Sequence, residues 1–449
     1  MPSLLRTLLL LALVTFALAA PKPEKRSFKV VRVPNPNFKR TAGAGTRALV
    51  KAHRKYGVAL PPGLVDAMNA AQGPTIDTAT AEAVDGKAKG QGKAAASASN
   101  SASAPGSTGS TSGSINSTGA GSGKVTATPE QGDVEFLSPV IIGGQTMNMD
   151  FDSGSSDLWV FNTQLAAASQ AGHTNFDVAK STTFKMLTGS TFTISYGDGS
   201  GAAGNVGTDT VNIGGATVTS QAIELATAVS ASFVQDTQSN GLVGLAFSKL
   251  NTVKPAQQKT FFDNAKDTLA MPVFTADLRK AAVGAYEFGA IDSTKFNGSL
   301  SWAAVNTTSG FWQFSSQKFQ VGTGTAMNVA GGQAIADTGT TLMLVNAAVV
   351  NAYYSQVTGA VNNQTVGGVT FPCNSQLPDL SVDVGGNYMA VVRGDDINFA
   401  PVDQAGTTCF GGVQAIASNL QIYGDIMFKS QFVAFNNGNN SIGMAPHQS

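Results

Sequence analysis

Charged side chains are scarce in this chain. Only 12% of its 449 residues are Asp, Glu, Lys or Arg, about half the usual share. That shortage excludes long exposed helices laced with ion pairs. Cysteine is nearly absent: Cys373 and Cys409 are the only two, which excludes a disulfide-dense scaffold. In an oxidising compartment they could form one bridge, contributing about 3–4 kcal/mol through loop closure. The three histidines, His53, His173 and His447, are scattered. No histidines cluster beside the two thiols, so no metal is expected, and no cofactor. Beyond the N-terminus, no run is long and apolar enough to span a bilayer. The C-terminus has no hydrophobic tail of the kind a lipid anchor replaces.

What is present fits an all-β protein. Hydrophobic residues make up 42% of the chain and glycine contributes 50 residues, enough for a core and many tight turns. From about Val125 onward, short β-type runs alternate with turn signals. Val140-Ile141-Ile142 precedes Gly143-Gly144, and Val211-Asn212-Ile213 precedes Gly214-Gly215. Helices are expected at Thr260 to Leu269 and Ala347 to Val357.

The N-terminal part reads differently. Arg6, the apolar stretch from Leu8 to Leu18 and the small-x-small site Ala17-Leu18-Ala19 make residues 1–20 a secretory signal. Residues 21–85 are basic, with dibasic pairs at Lys25-Arg26 and Lys39-Arg40, and residues 86–123 are a Gly/Ala/Ser/Thr linker. The formal net charge is zero, yet residues 1–124 hold 16 Lys and Arg against 5 Asp and Glu, whereas residues 125–449 hold 12 against 23. The two parts should attract at neutral pH and loosen as carboxylates protonate. No nucleic-acid motif accompanies the basic part, so nucleic acid is not an expected partner. Sequons at Asn116, Asn297, Asn306, Asn363 and Asn439 agree with export.

An internal repeat carries the functional signal. Met149-Asp150-Phe151-Asp152-Ser153-Gly154 and Ala334-Ile335-Ala336-Asp337-Thr338-Gly339 share an apolar lead into Asp-(Ser/Thr)-Gly. Each is followed by two hydrophobic residues and a glycine, Leu242-Val243-Gly244 and Ile422-Tyr423-Gly424. One such tripeptide is an ordinary turn. Two copies with matching leads and matching downstream partners argue for a duplicated β-lobe.

From about Val125 to Pro446 the chain resembles the pepsin family of aspartic proteases, most closely its fungal aspergillopepsin and penicillopepsin branch. Asp152 through Val160 is similar to the first active-site segment, Asp337 through Thr341 to the second, and Ile194 through Ser200 to the flap hairpin. The resemblance implies a bilobal fold with the cleft between two β-lobes, and Asp152 and Asp337 as catalytic residues. It implies lobes at 125–318 and 319–449, behind a propeptide of 21–124. It makes Tyr196 a flap tyrosine that contacts Trp159, with Gly197 at the flap tip. Asp198 is either a pocket carboxylate that accepts Lys before the cut or a solvated turn residue. Phe233 and Leu242 match apolar pocket walls, and core packing would explain them equally well. Ser153 and Thr338 match loop-bracing residues, Ser155 and Thr340 residues that bond the outer carboxylate oxygens. Arg54-Lys55-Tyr56-Gly57 resembles the inhibitory segment, with Lys55 against the carboxylates; an ordinary basic helix end is the alternative. Ser153 stands where Thr is commoner and keeps the hydroxyl. The linker is longer than the family suggests, and cleavage is expected between Gly121 and Val125.

These residue types suit peptide hydrolysis. It needs a base to activate water and an acid to protonate the substrate. Two carboxylates at one site cannot both ionise cheaply, so they serve both roles as one coupled unit. The aspartic-protease pair is itself the standard instance of this effect. Gly154 and Gly339 allow tight turns and close approach. The expected partners are polypeptide substrates and the chain's own propeptide, in a secreted monomer. A catalytically dead binding protein would have lost an Asp, a Gly or the flap tyrosine, and none is lost. A glycosidase would need sugar-stacking aromatics beside both acids, and the chain has three Trp.

Overall fold

Two Gly-Gly turns set the first sheet. Strand Leu137–Ile142 turns at Gly143-Gly144 into Gln145–Asp152, and Gly201–Ile213 turns at Gly214-Gly215 into Ala216–Val229. All four glycines have positive φ, between 52° and 108°, the region that closes a two-residue hairpin with the right twist. This computed structural model describes residues 28–32, 42–60, 64, 124–127, 136–196, 200–280, 284–329 and 331–448, with backbone alone for 28–32 and 124–127. The signal, the linker, Asn116 and the flap-tip residues Gly197 and Asp198 lie outside the described residues.

Along Gln145–Asp152, Met147, Met149 and Phe151 are buried at every second position, the period of a strand with one face on a core. This strand lies in a seven-stranded sheet spanning residues 137–244. The sheet curls until Leu137–Ile142 also pairs with Gly201–Ile213, Ile141 opposite Asn212. The second half builds a five-stranded sheet and two four-stranded sheets from residues 313–423. Another seven-stranded sheet joins the halves, running Ser301–Ala304, Ser441–Pro446, Gln431–Asn436, Val273–Asp277, Ala285–Phe288, Phe28–Arg32, Lys124–Ala127. Its centre is aromatic: Phe274 and Phe435 stack at 4.4 Å, with Trp312 edge-on to both. The expected all-β, two-lobed architecture is what the chain forms, and all of these strands belong to one compact unit.

Both expected helices occur in shorter form. Thr260 caps Phe261–Ala265 by accepting from the Asp263 N–H, and Asn346 caps Ala347–Tyr354 by accepting from the Ala348 N–H. Cys373 and Cys409 are disulfide-bonded. The bridge links the strand Thr408–Gly411 to the residue following its neighbour Gly368–Pro372.

Candidate active site

The repeat becomes a pair of matched loops. Strand Gln145–Asp152 runs parallel to Gly241–Gly244 with Asp152 opposite Gly244, and Gln333–Ala336 runs parallel to Leu420–Tyr423. The Leu245 N–H donates to the Asp152 carbonyl at 2.7 Å, and the Asp337 N–H donates to the Tyr423 carbonyl at 3.0 Å. The downstream glycines are required by contact: a Cβ on Gly244 would lie 2.5 Å from Ser156 Cα, and one on Gly424 2.2 Å from the Thr340 carbonyl oxygen. Each Asp therefore leaves its strand at the same point of a duplicated motif.

The two loops lock together through four reciprocal hydrogen bonds. The Ser153 N–H donates to Thr338 Oγ1 at 3.0 Å, and the Thr338 N–H donates to Ser153 Oγ at 2.9 Å. Ser153 Oγ then donates to the Ala336 carbonyl and Thr338 Oγ1 to the Phe151 carbonyl. Within each loop the glycine N–H donates to its own carboxylate, Gly154 to Asp152 Oδ1 at 2.8 Å and Gly339 to Asp337 Oδ1 at 3.0 Å. A Cβ on Gly154 would sit 2.5 Å from Asp337 Oδ1, and one on Gly339 2.3 Å from Asp152 Oδ1. Each glycine thus leaves room for the opposite carboxylate.

Asp152 and Asp337 are 1% and 0% exposed. Both meet the Lys55 ammonium, whose Nζ lies 2.7 Å from Asp152 Oδ1, 2.8 Å from Asp337 Oδ2 and 3.1 Å from Asp337 Oδ1. Tyr56 and Thr340 donate their hydroxyls to Asp337 Oδ2. The pair is electrostatically unequal. Burial raises the Asp152 pKa, and the neighbouring Asp337 adds to this against the pull of Lys55. Burial acts the same way on Asp337, but the Lys55 charge and the bonds from Asp152, Lys55 and Thr340 hold it below the ordinary carboxylate range. Burial lowers the Lys55 pKa, and the two carboxylates outweigh it and leave the ammonium more basic than usual.

Local structure explains how Lys55 arrives there. Helix Ala44–Lys55 buries Ala48, Leu49, Val50 and Ala52 and carries His53, Arg54 and Lys55 in its last turn, where cations suit the helix dipole. Gly57, at φ 63°, ends it: the Gly57 N–H donates to the Arg54 carbonyl and the Val58 N–H to the His53 carbonyl. The helix is tied to the second half by Thr46 Oγ1, which donates to the Val366 carbonyl at 2.7 Å, and by His53 Nε2, 3.0 Å from the Ala415 carbonyl.

Beside the two carboxylates lies an apolar recess lined by Trp159, Tyr196, Phe233 and Leu242. Trp159 Nε1 donates to Tyr196 Oη at 2.9 Å, and Phe233 sits edge-on to both rings. Tyr196 and Trp159 meet as the resemblance implies, and the recess includes Phe233 and Leu242. Ser155 does not do what its matched position suggests. Its Oγ is buried without a hydrogen-bond partner among the described residues, while Gly154 and Lys55 take Asp152 Oδ1. Among the described residues, only the second of the two loops supplies a hydroxyl to its carboxylate, from Thr340 to Asp337. Sequence reasoning missed Tyr56 as a ligand of Asp337, and Thr46 and His53 as anchors; adjacency to Lys55 was the one available signal, for Tyr56. Among the described residues no cluster of three or more His, Cys, Asp or Glu is arranged to hold a metal, and no helix is long and apolar enough to cross a membrane.

Comparison with known proteins agrees with this geometry. The model of the family described as eukaryotic aspartyl protease matches residues 135–447. The chain is 50% identical to penicillopepsin-1 of Penicillium rubens over 325 residues, covering 72% of this chain and 81% of that protein. It is 44% identical to endothiapepsin of Cryphonectria parasitica over 418 residues, 92% and 88% of the two. It is 47% identical to aspergillopepsin-1 of Aspergillus oryzae over 327 residues, 72% and 80%.

Proposed function

We propose, since this chain belongs to the eukaryotic aspartyl protease family and is an aspartic endopeptidase, that Asp152 and Asp337 are its catalytic pair and that Lys55 holds them inactive in a precursor. The observation that carries the proposal is the convergence of two buried carboxylates, one from each half, on a single Nζ atom. A position from which one ammonium donates to both carboxylates can hold one water between both.

With Lys55 withdrawn, the pair shares one proton. The ionised carboxylate takes a proton from the water as the water's oxygen bonds to the peptide carbonyl carbon. The protonated partner gives its proton to the carbonyl oxygen. As the C–N bond breaks, one hydroxyl of the diol gives its proton to the now ionised carboxylate and the other carboxyl gives its proton to the leaving amine, which restores the pair with one proton. The Trp159, Tyr196, Phe233 and Leu242 recess suits large apolar side chains beside the cut. Asp198, outside the described residues, would add acceptance of Lys.

The precursor comprises a signal at 1–20, a propeptide at 21–124 and lobes at 125–318 and 319–449. The protein is exported and acts as a monomer on polypeptides at acid pH. Removal of the propeptide is driven by acid, since protonated carboxylates release Lys55. The sequons Asn297, Asn306 and Asn439 are exposed and open to glycosylation.

The test is acidification of the purified precursor with and without a statyl-type transition-state analogue, following mass, new N-terminus and cleavage of a denatured protein. Processing and cleavage are expected, both blocked by the analogue. Asp152→Asn and Asp337→Asn should each abolish cleavage while the fold persists. Undiminished proteolysis in either variant would overturn the assignment.

A further inference from the structure

Five residues after Asp152, the first active-site segment places a carboxylate that the mechanism does not use. Asp157 is 1% exposed, and so is Glu224 on strand Ala216–Val229. The strand pairing brings them together: Leu158–Val160 starts directly after Asp157 and runs parallel to Ala216–Val229, with Trp159 opposite Glu224. No ion pair among the described residues reaches either carboxyl. Burying two anions side by side without a cation is costly.

Their hydrogen bonds resolve the cost. Asp157 Oδ1 accepts from the Thr252 N–H at 2.9 Å, from Thr252 Oγ1 at 2.7 Å and from Asn251 Nδ2 at 3.3 Å. Among the described residues, Glu224 Oε1 accepts only from Asn251 Nδ2, at 3.0 Å. The other two oxygens, Asp157 Oδ2 and Glu224 Oε2, are buried, and no donor among the described residues reaches them. The two side chains are hydrogen-bond neighbours of each other, so a single proton, as an O–H on Glu224 donating to Asp157, would satisfy both. Three donors favour the ionised form of Asp157, and Glu224 has too few to hold a charge.

We infer that Asp157 and Glu224 form a second proton-sharing carboxyl pair, outside the cleft, which positions the Asp152 loop and Trp159 for as long as the proton is held. The attachments are specific. The Asp157 carbonyl accepts from the Gly244 N–H at 2.8 Å, and Asn251 Nδ2 also reaches the Ser156 carbonyl at 3.3 Å. Through Thr252 and Asn251 the pair fastens the loop carrying Asp152 to the segment after residue 247. Through Trp159 it supports Tyr196.

Burial, and then the Asp157 charge, raise the Glu224 pKa well above the ordinary glutamate range. Burial raises Asp157 too, and the two Thr252 bonds restrain it. Among the described residues the other titratable group that faces both carboxyls is the Tyr196 phenol, which Asp152 also faces from its own side. A folded state that keeps a proton its unfolded chain has lost is less stable at higher pH. The pair's contribution is therefore complete in acid. It declines as pH climbs from the ordinary carboxylate range to the value at which Glu224 ionises.

The test uses the full-length chain, with the transition-state analogue present at every pH so that none of it is processed, and follows tryptophan fluorescence during unfolding as a function of pH. Glu224→Gln supplies an N–H donor at every pH, and its alkaline unfolding midpoint should rise by about one pH unit or more. Glu224→Ala leaves Asp157 Oδ2 bare at every pH and should be destabilised in acid and at neutrality alike. A Gln variant that follows the wild-type pH dependence would overturn the inference. If the Gln variant does not accumulate, infrared spectra of wild-type protein with isotope-labelled glutamate decide the matter. The chain has only six glutamates, and the inference requires one protonated glutamic-acid stretch surviving near neutral pH. Loss of the whole band in the ordinary carboxylate range would equally overturn it. Neither measurement depends on peptide cleavage, so the outcome is separate from the assignment of Asp152 and Asp337.

Discussion

Replacing Lys55 by Ala tests how the precursor is restrained. The side chain makes three close contacts to two carboxylates, and the groups involved are 6%, 1% and 0% exposed. Deleting one partner of a buried ionic cluster costs about 3–5 kcal/mol, because the other charges stay behind uncompensated. That is roughly two to four decades in the ratio of docked to undocked prosegment. The cost depends on pH with a definite sign. Asp337 is held below its ordinary value, so its contribution is present above the ordinary carboxylate range and is lost as pH falls towards the folded value. Asp152 is raised by burial and by Asp337, which weakens the fold as pH climbs above the ordinary range, but the Lys55 charge pulls it down, so the contact with the ammonium is likewise lost as that carboxyl protonates. Lys55 is raised, and its own titration lies far above the working range. The Ala variant should therefore differ most from wild type near neutrality and converge with it in strong acid. The assay is the pH at which purified precursor begins to process itself, read by mass. The onset should move upward by about one pH unit or more. An unchanged onset would refute the restraint assigned to this ammonium.

Gly339→Ala should abolish activity and destabilise the fold by several kcal/mol, about 1–3 or more from overpacking alone, since its Cβ would lie 2.3 Å from Asp152 Oδ1; thermal unfolding and peptide cleavage check this. Tyr196→Phe removes the acceptor for Trp159 Nε1 and should cost about 1–3 kcal/mol for the unsatisfied indole N–H, seen as a lower melting temperature and reduced kcat/KM. Replacing Cys373 and Cys409 by Ser should cost about 3–4 kcal/mol in the chain-entropy picture, measured by urea unfolding, with cleavage specificity unchanged because the bridge lies between neighbouring strands of the second half.

Part of this site was legible in the sequence because duplication wrote it twice. The Asp-(Ser/Thr)-Gly loops and their hydrophobic-hydrophobic-Gly partners are local strings, and parallel pairing brings the strings together. The Gly-Gly turns and the helix caps at Thr260 and Asn346 are local too. Other features depend on contacts between distant positions, which periodicity does not record. Tyr56 meets Asp337 across 281 residues and Thr46 meets Val366 across 320. Ser155 matches a role by position, yet its hydroxyl finds no partner among the described residues. Asp157 stood inside the most informative string of the chain. Its role depends on a glutamate and a threonine brought in by strand pairing and by the segment after residue 247.

The interlocked loops also bear on how such a chain can be divided. Each tripeptide borrows half of its bonding from the other: Ser153 reaches Ala336, and Thr338 reaches Phe151. A fragment holding one copy would present bare hydroxyl, amide and carbonyl groups at the spot where its twin belongs. Such a half would leave those groups to water until a second half docked, so the loops reach their final shape only where both copies meet.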